Sequence, residues 1–309
     1  MRGFVLAAGF GTRMRPLTDH IPKAMVPVCG KSLLERALHF IYENSITEIA
    51  VNAHYLPEQI KKFRADSVIP FELFVEEGNI RGTGGAFDFA NSFLKGDTAF
   101  FALNVDIICK FDLQATIRRF LELDCMCMLI AFPSESGKGT ILLDPLSFEY
   151  LGTPADTLRT TEMGEAAFIG AALYRRELLD FVSADDFSIV PVWKRVIESG
   201  HSVIVDIQQN GFWRDIGNPA ALADIHFEVI DKKIELDVPE NLHCNTSEKY
   251  CIPDHCMTNT TFTGTYAWIE TDRFENSVVK RSVIWSGMDI NKKEITNSII
   301  TPFGVLPIT

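Results

Sequence analysis

The sequence predicts an α/β protein built on a doubly wound, mostly parallel sheet and followed by a short β-rich appendage. Three observations carry this. Short apolar runs alternate with helical patterns to about residue 229, the order expected of βαβ units. The run Ala-Phe-Phe-Ala-Leu-Asn-Val at 99–105 is nearly continuous in apolar residues, as strands covered on both faces of a parallel sheet are. Past residue 229 helical periodicity fades, and branched aliphatics fall six apart at Val278, Ile284 and Ile290.

The elements follow in order. Residues 3–8 form a first apolar strand. Ser32 and Glu35 have capping-box spacing, and Leu34, Leu38 and Ile41 continue at helical intervals, giving one buried face. Residues 49–53 read as a second strand, Pro57 suits the first turn of a helix to residue 63, and 71–75 is a third strand before the glycine-rich segment 78–85. Helices are expected at 86–93, 113–121, 190–198 and 220–229, and strands at 99–105, 126–132, 168–174 and 203–207. In such a sheet ligands bind beyond the carboxyl ends of the strands.

Composition narrows the function. With 309 residues the chain can bury a full core, and 47% hydrophobic with 23% charged residues is globular. No stretch approaches the ~20 apolar residues of a membrane span. The first residues lead straight into a strand, so no signal peptide is expected. A formal net charge of −12 argues against a nucleic-acid surface, which needs a basic face. Seven cysteines (29, 109, 125, 127, 244, 251 and 256), odd in number and mostly within apolar runs, are expected to be reduced thiols of a cytoplasmic protein. The group His243, Cys244, Cys251, His255 and Cys256 matches no standard zinc spacing, so buried thiols are the favoured reading.

Chemistry concentrates near the amino terminus, where residues 6–27 read L-A-A-G-F-G-T-R-M-R-P-L-T-D-H-I-P-K-A-M-V-P. Gly9 and Gly11 let backbone N–H groups approach phosphate oxygens, because residues without Cβ tolerate positive φ and close contact. Arg13, Arg15 and Lys23 supply the neutralising cations. A Walker A loop would need G-K-[ST], but Thr12 and Arg13 follow Gly11; a dinucleotide fingerprint would need a third glycine, where Met14 stands.

The run G-x-G-T-R-x-R-P-L-T followed by Pro22-Lys23 resembles the sugar-1-phosphate nucleotidyltransferases. The resemblance spans about residues 1–228 and implies a Rossmann-like catalytic domain there, with 229–309 as a separate C-terminal domain. It implies that a nucleoside triphosphate and a sugar 1-phosphate are the substrates and Mg²⁺ the cofactor, with no nucleic-acid or membrane partner. By its motifs, Leu6, Ala7, Ala8, Gly9, Gly11, Thr12 and Arg13 hold the triphosphate, and Arg13 and Lys23 are catalytic. Asp106, directly after the strand 99–105, and Asp215, in W-R-D-I-G, match the family's two metal-holding aspartates. Val105 stands where the family usually has glycine.

Gly82, Thr83 and Gly85 resemble the family's G-T-x-G-A loop over the nucleobase, and Glu77 matches the position that reads the base edge. A carboxylate accepts the two donors of guanine, while a single uracil N–H also satisfies it. Gly139 and Gly170 correspond to sugar-side positions. The family's E-K-P motif is not recognisable; Lys138, Arg159 and Arg175 are the basic residues that could replace its lysine. The six-residue beat of the tail points to a left-handed β-helix with coils of about 18 residues, the alternative being an irregular β-appendage. Its aliphatics imply a homo-oligomer through residues 260–309. Guanylyl transfer to a manno-configured sugar phosphate leads, with the N-acetylmuramate-1-phosphate uridylyltransferases and a catalytically silent nucleotide-sugar-binding paralogue as alternatives.

Overall fold

The structure, a computed structural model, describes residues 1–135, 137–254, 256, 261–262 and 266–308. The chain divides into two compact units, residues 1–9 with 34–213, and residues 10–33 with 214–309.

The first unit is the α/β layer. In chain order it contains β1 (Arg2–Leu6), α1 (Leu33–Glu43), β2 (Ile49–Ala53), α2 (Pro57–Asp66), β3 (Glu72–Val75), α3 (Gly82–Phe89), β4 (Ala99–Asn104), α4 (Leu113–Glu122), β5 (Cys127–Pro133), β6 (Ile141–Leu143), β7 (Tyr150–Gly152), β8 (Gly164–Arg175), α5 (Val190–Glu198) and β9 (Val203–Ile207). The strands β3-β2-β1-β4 are hydrogen-bonded in that order and all run parallel. The sheet then turns mixed: the long β8 runs antiparallel to β4, β5 and β6, while β9 is parallel to β5. The parallel half is as expected, and the 168–174 strand is longer than its apolar run and reversed.

β1, β2 and β4 are buried along most of their length, whereas the edge strand β3 has no buried residue, and the core side chains are large. Phe87 and Phe100 are fully buried and meet edge to face at 5.2 Å, with Tyr174 against both. Truncating either phenylalanine to alanine costs ~3–5 kcal/mol. The glycine-rich segment was expected to be a loop up to residue 85, yet α3 begins at Gly82. The reason is tertiary: Thr83 and Gly85 donate their N–H groups to the carbonyls of Phe187 and Asp186 at 2.9 and 2.7 Å, which satisfies the first turn from outside the helix.

The second unit holds α6 (Pro219–Ile230), whose start is capped by Asn218 Oδ1 accepting from Ala221 N–H at 2.9 Å. The hairpin Pro27–Val28 with Lys31–Ser32 turns through Cys29 and Gly30, both at positive φ, the geometry of tight hairpin turns. His226, fully buried in α6, donates from Nδ1 to Leu222 O and accepts the Cys29 N–H at Nε2.

The C-terminal part of this unit is a stack of three-residue and four-residue strands in three parallel sets. Ala267 pairs with Ser282 and Val283 with Ile299 on one face, Val278 with Glu294 on a second, and Arg273 with Asp289 on a third. The buried residues are Phe274, Val279 and Ile284, then Ile290, Ile295 and Ile300, so each inward position recurs sixteen residues on. The six-residue beat is thus corrected: Val278 is only half-buried and Val279 points inward, because the faces step by five, five and six. Two of the corners fall at E-N-S, residues 275–277, and T-N-S, residues 296–298. Asn276 and Asn297 sit at φ 46 and 47, a region asparagine tolerates. Ser277 and Ser282 bond back to the carbonyls of Glu275 and Lys280 at 2.8 Å, and accept the N–H groups of Lys293 and Ser298 in the next coil.

The expectation of seven free thiols fails at one pair. Cys244 and Cys251 lie directly opposite on antiparallel strands, Cα to Cα 4.0 Å, and are joined as a disulfide. Cys29, Cys109, Cys125, Cys127 and Cys256 are in no disulfide; burial pushes the Cys125 thiol up to about 11 and the Cys109 and Cys127 thiols up further, which makes these three poor nucleophiles. His255 lies outside the described residues, and among those described no group of three or more His, Cys, Asp or Glu side chains is gathered to hold a metal ion. No helix among the described residues is long and apolar enough to cross a membrane.

Candidate active site

The first unit brings several of the expected residues to the carboxyl edge of its parallel strands. Leu6 ends β1 opposite Asn104 of β4, and the Val105 N–H donates to Leu6 O at 3.1 Å. The turn carrying Asp106 therefore leaves the sheet beside Leu6-Ala7-Ala8. Ala7 and Ala8 are buried, while Gly9 is exposed. Val105 is buried and keeps an ordinary φ, so a side chain fits there without backbone strain.

A relay not read from the sequence holds this edge together. The Ala7 N–H donates to Asn52 Oδ1 at 2.7 Å, Asn52 Nδ2 donates to Glu76 Oε1 at 2.7 Å, and Glu76 Oε2 accepts the Arg81 N–H at 2.9 Å. Asn52 and Glu76 are buried, so both ends of the segment 77–80 are tied to β2. Glu77 itself is exposed, next to Gly78 at φ +73. The sequence cue was only an apolar strand ending in Asn-Ala; which carboxylate it meets depends on the β2–β3 register.

Gly82 lies at φ +70, and a Cβ there would stand 2.0 Å from Phe187 O; one on Gly84 would stand 2.4 Å from Asp186 O. These glycines are thus required by the backbone of the segment 184–187. Gly170, at φ +76, forms a bulge in β8, and a Cβ would strike Asn104 Nδ2 at 2.5 Å. Leu6, Thr83, Asn104, Phe168 and Gly170 line one hollow of about 60 Å³. That is well below the ~300 Å³ of a small ligand pocket, so by itself it does not enclose a ligand. Gly139 lies apart from it, where its N–H and that of Gly137 donate to Glu165 at 3.1 Å, with Arg159 on the same carboxylate at 2.9 Å. Arg175 is spent elsewhere: its guanidinium bonds the carbonyls of Phe120 and Leu123 at the end of α4. Lys138 is exposed and pairs with Glu135 at the surface.

The second unit gathers Gly11, Thr12, Arg13, Lys23 and Asp215. Gly11 takes φ +64, and a Cβ would meet Thr18 at 2.9 Å and the Lys23 stem at 3.0 Å. Gly9 differs: its φ is not left-handed, and nothing lies within 4 Å of an added Cβ. Lys23 is only 8% exposed, unusual for a lysine. Thr18 Oγ1 donates to Gly11 O at 2.8 Å and Met14 N–H to the same oxygen at 2.8 Å. Arg13 is well exposed, with Nη2 3.8 Å from Asp215 Oδ2, whereas Arg15 is held by Asp19 at 3.0 Å. Asp106 and Asp215 belong to different units. Both are hard oxygen donors of the kind Mg²⁺ takes, one or two at a time, with substrate phosphates and water.

Residues 2–140 match the nucleotidyl transferase family model. A mannose-1-phosphate guanyltransferase 2 of Candida glabrata is 28% identical over 71% of this chain and 62% of its own length. An N-acetylmuramate alpha-1-phosphate uridylyltransferase of Caulobacter vibrioides is 29% identical over 70% of this chain and 92% of its own. The chain thus spans under two thirds of the first relative. The crystal structure of HddC from Yersinia pseudotuberculosis complexed with GMP-PN superposes with a TM-score of 0.60 at 20% identity, covering 73% of this chain and 98% of that one, which establishes the same mixed α/β fold. With the G-x-G-T-R loop inside the matched span, residues 2–140 carry a nucleotidyl transferase domain by that family's model.

Proposed function

We propose that the protein transfers a nucleoside monophosphate from a nucleoside triphosphate to a sugar 1-phosphate. A phosphate oxygen of the sugar attacks the α-phosphorus in line; the bond from that phosphorus to the bridging β-oxygen breaks, and pyrophosphate leaves. The nucleophile is already anionic, so no general base is needed, and catalysis consists of positioning and charge neutralisation. The observation that carries the reading is the Gly11 loop: its left-handed glycine packs on the stem of a nearly buried Lys23, with Arg13 exposed beside it.

In this reading the backbone from Gly9 to Thr12 holds the phosphates, with Leu6, Ala7 and Ala8 leading into it, Arg13 stabilises the departing pyrophosphate, and Lys23 reaches toward the α-phosphate. Asp106 and Asp215 would hold Mg²⁺, which would neutralise phosphate charge. Glu77, Gly82, Thr83 and Gly85 face the base, and Gly139 and Gly170 the sugar. Arg175 caps a helix, so Lys138 and Arg159, each paired with a carboxylate, are the remaining candidates to replace the missing E-K-P lysine.

Guanylyl transfer to a manno-configured sugar phosphate is supported by the acceptor-only Glu77; uridylyl transfer to N-acetylmuramate 1-phosphate is the alternative, and relatives of both kinds stand at 28 and 29% identity. The silent-paralogue reading loses support from the unstrained Val105. We extend the proposal to a catalytic domain at 1–228, a C-terminal domain at 229–309 formed as a left-handed β-helix, a homo-oligomer through residues 260–309, and a cytoplasmic setting. The test is pyrophosphate release from GTP, UTP, ATP and dTTP with mannose, glucose and N-acetylmuramate 1-phosphates in Mg²⁺. Turnover with GTP and mannose 1-phosphate is expected; nucleotide-sugar binding by calorimetry without any turnover would replace the enzyme by the silent paralogue. Light scattering of the chain with and without 260–309 tests the oligomer.

A further inference from the structure

The glycine of W-R-D-I-G has no role in the reading above, and its own conformation does not demand one. Gly217 lies outside the left-handed region, yet a Cβ there would stand 2.6 Å from Arg13 Nη2 and 2.9 Å from both Arg13 Cζ and Nη1. The three nearly equal distances mean that the whole guanidinium fork, and not one tip, rests against this glycine. The glycine is rigidly mounted. Ile216 before it is fully buried, and Asn218 after it caps α6 through the 2.9 Å bond to Ala221 N–H. Arg13, in contrast, is largely exposed, and its ion pair to Asp215 is long, at 3.8 Å. When a side chain is added at Gly217, the partner that yields is therefore the end of Arg13.

We propose that Gly217 is a positioning residue for Arg13: its missing Cβ is the flat seat that sets where the guanidinium meets a phosphate anion. The inference rests on the reading of Arg13 as a pyrophosphate-binding cation, and it makes the W-x-D-I-G segment serve twice, once through the Asp215 carboxylate and once through the bare backbone two residues on. Displacing a catalytic group by about 1 Å can cost ~10²-fold in rate, while moving the flexible tip of an exposed arginine costs the fold little.

The experiment is a double-mutant cycle on Gly217→Ala and Arg13→Ala in the full chain. Its readouts are the melting temperature, the affinity for magnesium pyrophosphate by calorimetry, and the initial rate with GTP and mannose 1-phosphate, or with whichever substrate pair the panel identifies. Gly217→Ala is expected to melt with the parent, to bind pyrophosphate about tenfold more weakly, and to turn over ~10-fold to 10²-fold more slowly. The double variant is expected to match Arg13→Ala. Independent, additive losses would overturn the proposal, as would parent-like pyrophosphate affinity in Gly217→Ala beside a defective Arg13→Ala. A Gly217→Ala protein that fails to fold would overturn it too, because the arginine tip would then not be the obstacle. Parent-like behaviour of Arg13→Ala would instead remove the reading of Arg13 and the proposal with it. A parent chain that couples the two residues in pyrophosphate binding but never turns over would sustain Gly217 and sink the transfer reaction.

Discussion

The two glycine segments, 9–13 and 82–85, look alike as sequence and differ as structure. At 82–85 the amides of Thr83 and Gly85 are consumed by carbonyls of the same unit, and Gly82 and Gly84 are glycine because the 184–187 backbone lies against them. In the loop 9–13, Gly11 is glycine for its left-handed φ and its contact with Lys23, whereas Gly9 meets nothing. A glycine that the protein's own packing does not require is the better marker of space kept for a ligand. The segment 82–85 supplies shape, and the segment 9–13 is the one we propose as a phosphate cradle.

The sharpest way to break this comparison is to remove the charges assigned to the cradle. Lys23→Ala and Asp106→Asn are each expected to lower turnover by ~10²-fold to 10³-fold, read as pyrophosphate release; parent-like turnover in either would withdraw the corresponding role. The two glycines are next. Gly82→Ala forces a Cβ onto the Phe187 carbonyl in a left-handed backbone, so the variant is expected to lose several kcal/mol, on the order of 3 kcal/mol, in denaturant unfolding. Gly9→Ala is expected to leave stability within about 0.5 kcal/mol while raising the KM for the triphosphate. A stability loss at Gly9, or none at Gly82, would reverse the assignment.

Smaller effects sharpen it. Asn52→Ala strips the Ala7 amide and the buried Glu76 of their partner and is expected to cost ~1–3 kcal/mol by thermal unfolding. In the second unit, Lys249 above all, with Tyr266 and Lys233, lowers the Asp231 carboxyl to about 2. A depressed carboxyl stabilises the fold above its unfolded value near ~4 and loses that contribution as pH falls toward 2. The stability gap between the parent and Asp231→Asn is expected to be on the order of 1–2 kcal/mol at neutral pH and to close below about pH 3; a gap unchanged at pH 2 would show the pairs to be inert.

Much was legible beforehand because it is local. Alternating apolar runs predicted β1, β2, β4 and β9 to within about two residues, and the helix expected at 220–229 is α6, one residue longer at each end. The three-residue strands β6 and β7 were missed, since they are too short to show a period. The coil length was misjudged because the sequence beat catches Ile284 and Ile290 but mistakes Val278 for Val279, a difference that only the corner geometry sets.

By itself, the sequence determined where the proposed chemistry is sought: a glycine loop followed by Arg13 and Lys23, with no Walker or dinucleotide spacing, is a property of neighbouring residues. Only the tertiary structure decided which glycines the protein needs for its own packing, which carboxylate of Glu76-Glu77 is buried, and that Gly217 lies under Arg13. Those are contacts between residues tens to hundreds of positions apart, and strand register and loop approach, not local propensity, bring them together.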